Sequence, residues 1–349
     1  MKPIYLLLLA VPVALALEFT GGERYTLLFL FSALAMIPLA GVLGAATEEV
    51  AVYTGPRIGA LLNATLGNAA ELIITVVALR QGLVNVVKAS IAGSIIGNIL
   101  IVLGLSLFLG GLKNGTQFFD AKTAGTNATM MMLAVIALSV PAIFAIPTAE
   151  ARLSESRILL LSDWMAVVLI AIYVLYILWV LRAPEVEIEG GHAHEPTMKL
   201  PVALGLLVAS TVGIVVMSEI LVGALEPTAE RWGLSEMFIG VMLVPLIGNV
   251  AEHLVAVQVA RQNKMDLSLG IAVGSGLQIA LFVAPLLVLI GALVGTPMSL
   301  VFHPFELIAL IGAGLIAVLV SVDGESNWLE GAQLIALYLM FGIAFYFVP

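Results

Sequence analysis

Eleven apolar runs, all but the first at least twenty residues long, constrain how this chain can fold: 4–17, 26–52, 57–79, 84–111, 123–146, 157–181, 199–225, 235–260, 267–293, 303–322 and 328–347. About 20 apolar residues cross a hydrocarbon layer roughly 30 Å thick, and in lipid only helices or closed barrels satisfy every backbone polar group. Runs of this length predict helices, so the expected fold is all-α: a polytopic membrane protein of about 11 transmembrane helices. Of the 349 residues only 11% are charged and 61% are hydrophobic, whereas a soluble domain carries about 25% charged residues. So little charge cannot cover a large water-facing domain, which excludes cytosolic enzymes and nucleic-acid binders. The net charge of −9 argues against any polyanion as a partner. With no cysteine, disulfides, thiolate metal sites and cysteine nucleophiles are excluded too.

The first run is short, and Lys2 ahead of a stretch ending in Ala14-Leu15-Ala16 also has the form of a signal peptide. The one long polar connection, 182–198, carries Glu185, Glu187, Glu189, Glu195, His192 and His194. It reads as a solvated linker near mid-chain, with regulatory cation binding by its His and Glu side chains as the alternative. Lys and Arg number eight on the N-terminal side of the alternating connections and six on the other. That tilts the expected orientation toward a cytoplasmic N-terminus, in the cell membrane.

An internal repeat is visible. Shifting the chain by 181 residues lays Gly67-Asn68-Ala69-Ala70-Glu71 on Gly248-Asn249-Val250-Ala251-Glu252, Arg80-Gln81 on Arg261-Gln262, and Gly93-Ser94 on Gly274-Ser275. Ile58-Gly59 falls on Ile239-Gly240 and Glu49 on Glu230 under the same shift. The matching runs are the third and the eighth, and an odd separation threads the second copy through the bilayer in the opposite direction. Inverted repeats of this kind bind substrate near the bilayer midplane. The expected organisation is an N-terminal transmembrane helix over 1–20, a first five-helix repeat over 21–181, the acidic linker 182–198 and a second, inverted five-helix repeat over 199–349.

Glu71 and Glu252 fall well inside their runs, where an ionised carboxylate costs on the order of 3 kcal/mol. Two such acids must be neutralised by protons or by a cation, which is an exchange mechanism in outline. Asn68 and Asn249 precede each Glu by three residues, placing an amide oxygen one helical turn from the carboxylate on the same face. Gly67, Gly248 and Pro245 weaken the helix just before that turn. The following run adds Ser94 with Asn98 in the first copy and Ser275 with Gln278 in the second, both at helical spacing. Two carboxylates among amide, hydroxyl and carbonyl oxygens suit a hard cation such as Ca2+, which takes 6–8 oxygen ligands. Two carboxylates balance one dication or two protons, so occupancy by one excludes the other.

Glu49 and Glu230 are also repeat mates but lie near run ends, as an ion gate or entrance on one reading and as caps or snorkelling side chains on the other. His253 follows Glu252 and projects about 100° away on an ideal helix, as a proton-coupling neighbour or a packing histidine. Glu219 and Glu306 have no mate under the shift and read as packing or interface residues. No phosphate-binding loop, His-Glu-x-x-His or Gly-x-Ser-x-Gly is present, so neither ATP-driven pumping nor intramembrane hydrolysis has a motif.

The doubled motif, Gly67-Asn68-Ala69-Ala70-Glu71-Leu72-Ile73 and Gly248-Asn249-Val250-Ala251-Glu252-His253, resembles the paired signatures of the cation/proton exchanger (CAX) family of the calcium/cation antiporter superfamily. The likeness extends to Ala46-Thr47-Glu48-Glu49, Gly97-Asn98, Gln278-Ile279-Ala280 and the stretch Asp323 to Gly331, so it covers nearly the whole chain. The resemblance implies one helix outside two five-helix inverted repeats. It also implies Glu71 and Glu252 as shared cation and proton carboxylates, and an acidic cytosolic connection that 182–198 matches. Sodium/calcium exchanger relatives tend to carry Ser-x-Pro-Glu-like motifs and a further acid in the next helix. Here Asn68 and Asn249 replace the first, and Asn98 and Gln278 are neutral, which favours protons over sodium as counter-ion.

The expected function is secondary active antiport of cytoplasmic Ca2+, or a similar divalent cation, against protons by alternating access. The alternatives are a sodium-coupled or monovalent cation exchanger and a passive cation channel. No catalytic residue and no cofactor are expected, Ca2+ being the transported substrate. The expected partners are Ca2+, H+ and the lipid bilayer, with homo-oligomerisation left open.

Overall fold

A backbone in hydrocarbon must close its hydrogen bonds within its own segment, and the computed structural model, which describes residues 3–146, 153–182 and 196–348, is helical almost throughout. A 3-10 turn leads into α1 (Ala10–Thr20), α2 (Tyr25–Thr54), α3 (Pro56–Leu66), α4 (Ala69–Arg80), α5 (Val84–Gly97), α6 (Leu103–Asn114), α7 (Ala121–Ala145) and α8 (Glu155–Arg182). The second half holds α9 (Leu200–Gly223), α10 (Leu225–Trp232), α11 (Glu236–Phe238), α12 (Val244–Arg261), α13 (Met265–Gln278), α14 (Ala284–Val294), α15 (Pro304–Val320) and α16 (Trp328–Tyr346). Gln117–Phe118 (β1) and Glu325–Ser326 (β2) pair antiparallel as a short ribbon, Gln117 opposite Ser326. The connection expected at 182–198, with its six Glu and His residues, lies outside the described residues but for its ends.

The protein is an all-α polytopic membrane protein. Among the described residues seven helices are long and apolar enough to cross a membrane: Tyr25–Thr54, Val84–Asn114, Ala121–Ala145, Glu155–Arg182, Leu200–Gly223, Met265–Val294 and Trp328–Tyr346. The sequence predicts eleven, and the difference has local causes. The run at 57–79 is split into α3 and α4 at Gly67-Asn68, and that at 235–260 starts beyond a 114° bend between Leu225–Trp232 and Glu236–Val250. Ile4–Thr20 and Pro304–Val320 are apolar but shorter.

Among the described residues three helices contain a wide turn with an i to i+5 hydrogen bond. Leu103 N donates to Asn98 O, Val244 N to Ile239 O and Ala284 N to Ile279 O. Such π turns insert one residue into a helix and recur at functional sites. Under the 181-residue shift α5, its wide turn 98–102 and the start of α6 fall on α13, its wide turn 279–283 and the start of α14, boundary for boundary.

The chain divides into two compact units that each draw on both sequence halves. Unit 1 comprises Met1–Ala78, Val174–Glu236 and Ile247–Ala251; unit 2 comprises Leu79–Tyr173, Met237–Leu246 and Glu252–Pro349. In unit 1, α2 packs along α9, where Gly213 leaves room for Leu39, and the Phe29 and Trp232 rings meet edge to face with centroids 5.8 Å apart. With lipid outside, no hydrophobic force drives helices together, and small residues that let backbones approach do more of the work. Unit 2 shows this at several contacts. A Cβ added at Gly93 of α5 would lie 2.1 Å from Val241 O, and one at Gly331 of α16 would lie 2.2 Å from Phe108 N of α6.

Candidate functional site

Polar side chains buried inside apolar helices are expensive unless they pair, so their positions point to function. In unit 1, Asn68 and Glu71 are 3% and 4% exposed and Asn249 is 1% exposed. Because the helix breaks at Gly67-Asn68, Glu71 falls in the first turn of α4, at the positive end of the helix dipole, which favours a carboxylate. Gly248 lies against this acid: a Cβ there would be 3.2 Å from Glu71 Cγ and 3.7 Å from Ile74 Cδ1. The second glycine of the doubled motif thus makes space for the first glutamate.

Unit 2 holds the rest of the predicted set. Asn98, at the start of the wide turn of its helix, donates from Nδ2 to Ser275 Oγ at 3.1 Å. Ser275 is in turn hydrogen-bonded to the Glu252 carboxylate. Gly276 permits the approach, its Cα facing Asn98 Cβ and the Met131 methyl. Ser94 is buried on α5 one turn before Asn98, and Gln278, half-buried, ends α13. Glu252 and His253 lie in α12, half-buried, with Glu252 Oε2 and His253 Nε2 enclosed and without a hydrogen-bond partner among the described residues. The structure therefore brings Asn98, Ser275 and Glu252 together in unit 2, and Glu71 with the Gly248-Asn249 segment in unit 1.

The outlying acids have other surroundings. Glu49, half-buried near the end of α2, accepts from Thr197 N at 3.2 and 3.1 Å, from the Thr197 hydroxyl and from Met198 N at 3.4 Å. It ties the end of α2 to the approach to α9, and Tyr53 adds a hydrogen bond to Met198 O at 2.7 Å. Glu230 is exposed on the short helix α10. Glu306 is buried and caps α15, accepting from His303 N at 2.7 Å, while Lys88 on α5, within its electrostatic reach, donates to Ser299 Oγ at 3.1 Å. Sequence reasoning missed the spacing roles of Gly248 and Gly276. The only signal was a small residue beside each polar one.

Among the described residues no group of three or more His, Asp or Glu side chains converges. A cation held by this chain would take a mixed shell of carboxylate, amide, hydroxyl and backbone oxygens, the donor set of a hard ion.

Ionisable and amide side chains buried in apolar membrane helices define an integral membrane transport protein. Residues 24–182 and 202–347 match the sodium/calcium exchanger protein family, and the chain belongs to it, within the calcium/cation antiporter superfamily. It is 45% identical over 360 residues to the Ca(2+)/H(+) antiporter of Aphanothece halophytica, covering 98% of this chain and 96% of that protein. Against the Ca(2+)/H(+) antiporter ChaA of Bacillus subtilis (strain 168) the identity is 40%, with 99% of each chain covered. The crystal structure of the selenium-substituted Ca2+/H+ antiporter protein YfkE matches with a TM-score of 0.87 at 37% identity, covering 100% of both chains.

Proposed function

We propose that this protein is a secondary active antiporter that exchanges Ca2+, or a similar divalent cation, for protons by alternating access. The observation that carries the reading is full-length similarity to Ca(2+)/H(+) antiporters at 45% and 40% identity. Glu71 and Glu252 are the carboxylates that take up cation and protons. Asn68, Asn249, Ser94, Asn98, Ser275 and Gln278 supply neutral oxygens, and His253 is the proton-coupling neighbour. Desolvation drives the coupling: an acid pair in hydrocarbon is neutralised by one dication or two protons, and carrying it bare across the membrane costs several kcal/mol. Neutral Asn98 and Gln278, in place of further acids, favour the proton over sodium.

The finer architecture belongs to the same proposal: eleven spans, arranged as one helix over 1–20 and inverted five-helix repeats over 21–181 and 199–349, with an acidic linker at 182–198 and a cytoplasmic N-terminus. The matching boundaries of α5–α6 and α13–α14, each with a wide turn between its helices, support it. Glu49 and Glu230 are second-rank gate candidates. Glu49 is engaged with Thr197 and Met198, which favours an anchoring role.

The test is 45Ca2+ flux in proteoliposomes under an imposed pH jump. Glu71→Gln and Glu252→Gln should each lower exchange by about a hundredfold or more, while Glu306→Gln should leave it nearly intact. Uptake that persists in both motif variants, or that follows a sodium gradient in place of a proton gradient, would overturn the assignment.

A further inference from the structure

A hydroxyl in a membrane helix commonly satisfies itself by folding back onto the carbonyl four residues earlier. In unit 2, Ser139 does so onto Val135 O at 2.7 Å, Ser162 onto Ile158 O at 2.8 Å and Ser321 onto Ala317 O at 2.7 Å. Ser106 on α6 and Ser268 on α13 do not. Both are fully buried, at 0% exposure, and their Oγ atoms have no hydrogen-bond partner among the described residues. Gln117 Oε1 and Ser326 Oγ, cross-strand neighbours on the ribbon, are buried and unpartnered as well.

These four groups form a line. Helices α6 and α13 pack against each other and run antiparallel: Asn98 meets Ser275 and Gly276 at one end, and at the other β1 reaches Asn263, just before α13, through Gln117. Ser268 precedes Ser275 by seven residues, which returns it to the same helix face two turns, about 10 Å, away. Ser106 follows Asn98 by eight residues, but the wide turn at 98–102 absorbs one, so Ser106 also returns to the Asn98 face at the same distance. Ser106 and Ser268 thus stand level with each other, two turns from the Asn98–Ser275 hydrogen bond. One turn further along α6, Gly110 opens a notch for the next group: a Cβ there would lie 2.2 Å from Gln117 Oε1. The Gln117 amide is fixed in place by donating Nε2 to Ala260 O at 2.8 Å and Asn263 Oδ1 at 2.9 Å, which leaves Oε1 facing inward.

We propose that Gln117 and Ser326, then Ser106 and Ser268, then Asn98 and Ser275 form a proton route from the ribbon end of unit 2 to Glu252. Buried water completes it, because unsatisfied buried polar groups are the partners such water takes, typically about three per molecule. A serine hydroxyl both donates and accepts, so it can take a proton from one water and release its own to the next, leaving no net change in the chain; the Gln117 and Asn98 amides pass no proton themselves and only orient the waters and Ser275. Ca2+ needs 6–8 oxygen ligands, which Gln117, Ser326, Ser106 and Ser268 do not supply, so the stretch from the ribbon to Asn98 passes protons and not the cation. The inference rests on Glu252 being a proton-carrying acid.

The test separates two transport modes in proteoliposomes: 45Ca2+ uptake driven by a pH gradient, and 45Ca2+/Ca2+ exchange at equal pH, which moves no proton. In the Ser106→Ala/Ser268→Ala double variant, proton-driven uptake should fall about tenfold while Ca2+/Ca2+ exchange and thermal stability stay as in the parent. Ser139→Ala, whose hydroxyl is already bonded to its own helix, should change neither mode. Equal slowing of both modes would make the serines packing residues, and no slowing of either would make them bystanders; both results overturn the route. Glu252→Gln is run alongside. If that variant still exchanges Ca2+ against a pH gradient, the assignment of Glu252 fails, whatever the serines do.

Discussion

The two Gly-Asn-x-x-Glu segments have nearly the same residues and different backbones. Gly67-Asn68 interrupts a helix: α3 stops at Leu66, α4 begins at Ala69, and Glu71 lies in the opening turn of the new helix. Gly248-Asn249 runs through the middle of α12, and Glu252 sits more than two turns from its start. The irregularity in the second copy comes earlier, as the wide turn 239–243 ahead of Pro245. Proline has no N–H to give to residue 241, so the chain breaks its α ladder there and restarts with Pro245 in the first turn, where a missing donor costs nothing. The first copy has Ala64 at the equivalent position and yields at its glycine. Two acids related by sequence therefore stand in different fields, one at a helix N-terminus and one in a helix interior.

The largest expected test of this asymmetry uses the glycines one span further on. Gly93 and Gly274 are mates under the repeat, yet a Cβ on Gly93 would strike Val241 O and C at 2.1 and 2.7 Å, whereas one on Gly274 meets nothing within 4 Å. Gly93→Ala should cost about 3 kcal/mol or more and lower the folded yield, because backbone cannot move aside as a side chain can. Gly274→Ala should be neutral or stabilise by up to about 1 kcal/mol through helix propensity. Thermal unfolding in detergent reads both, and equal damage from the two substitutions would break the comparison.

A smaller effect is expected at Gly248. A methyl group there presses on Glu71 Cγ at 3.2 Å, and that side chain can shift by a rotamer adjustment. Gly248→Ala should therefore leave Tm unchanged while weakening the apparent Ca2+ affinity by about tenfold, as expected when a ligand is displaced by a fraction of an ångström. Affinity from the Ca2+ dependence of flux, unchanged in this variant, would show that the glycine serves only helix packing.

The smallest test contrasts two helix starts. Asp120 caps α7 by accepting from Lys122 N at 3.2 Å and Thr123 N at 3.1 Å, whereas α15 starts with His303 and Glu306 in a reciprocal capping box. The Thr123 hydroxyl, then its backbone N–H, holds the Asp120 carboxyl below its usual value. Asp120→Ala should cost about 1 kcal/mol at neutral pH. The sign follows from the lowered value: the cap contributes fully above the unfolded pKa of about 4, and its contribution is lost as pH falls through the folded one. The Tm difference between wild type and variant should shrink toward acid pH.

Much of this was legible in the chain. The apolar runs placed nearly every helix, and the 181-residue shift found Asn68, Glu71, Asn249 and Glu252, all of which the structure holds away from water or largely so. The sequence paired Ser94 with Asn98 and Ser275 with Gln278 along their own helices, and the bond from Asn98 to Ser275 between helices lay beyond it. What could not be read depends on backbone details that neighbouring residues decide. The expected weakening at Gly248 is not met: the chain runs unbroken through Gly248-Asn249, and the irregularity falls ahead of Pro245 instead. Ser106 and Ser268 looked like any hydroxyl in an apolar run, because a side chain that bonds back and one that does not have the same letter. Glu306 reads in the sequence as a packing or interface residue, and its capping bond to His303 could not be foreseen.

The wide turn between α5 and α6 has a consequence for anyone editing this protein. It acts as a one-residue phase correction: every side chain from Leu103 onward is rotated by about 100° from where an unbroken 3.6-residue spiral would put it. A face drawn across that point with a single periodicity mislabels which residues meet lipid and which meet α16. Deleting one residue from 99–102 would swing Gly104 and Gly111 away from Gly331 and Trp328, undoing a helix contact without altering a single contact residue.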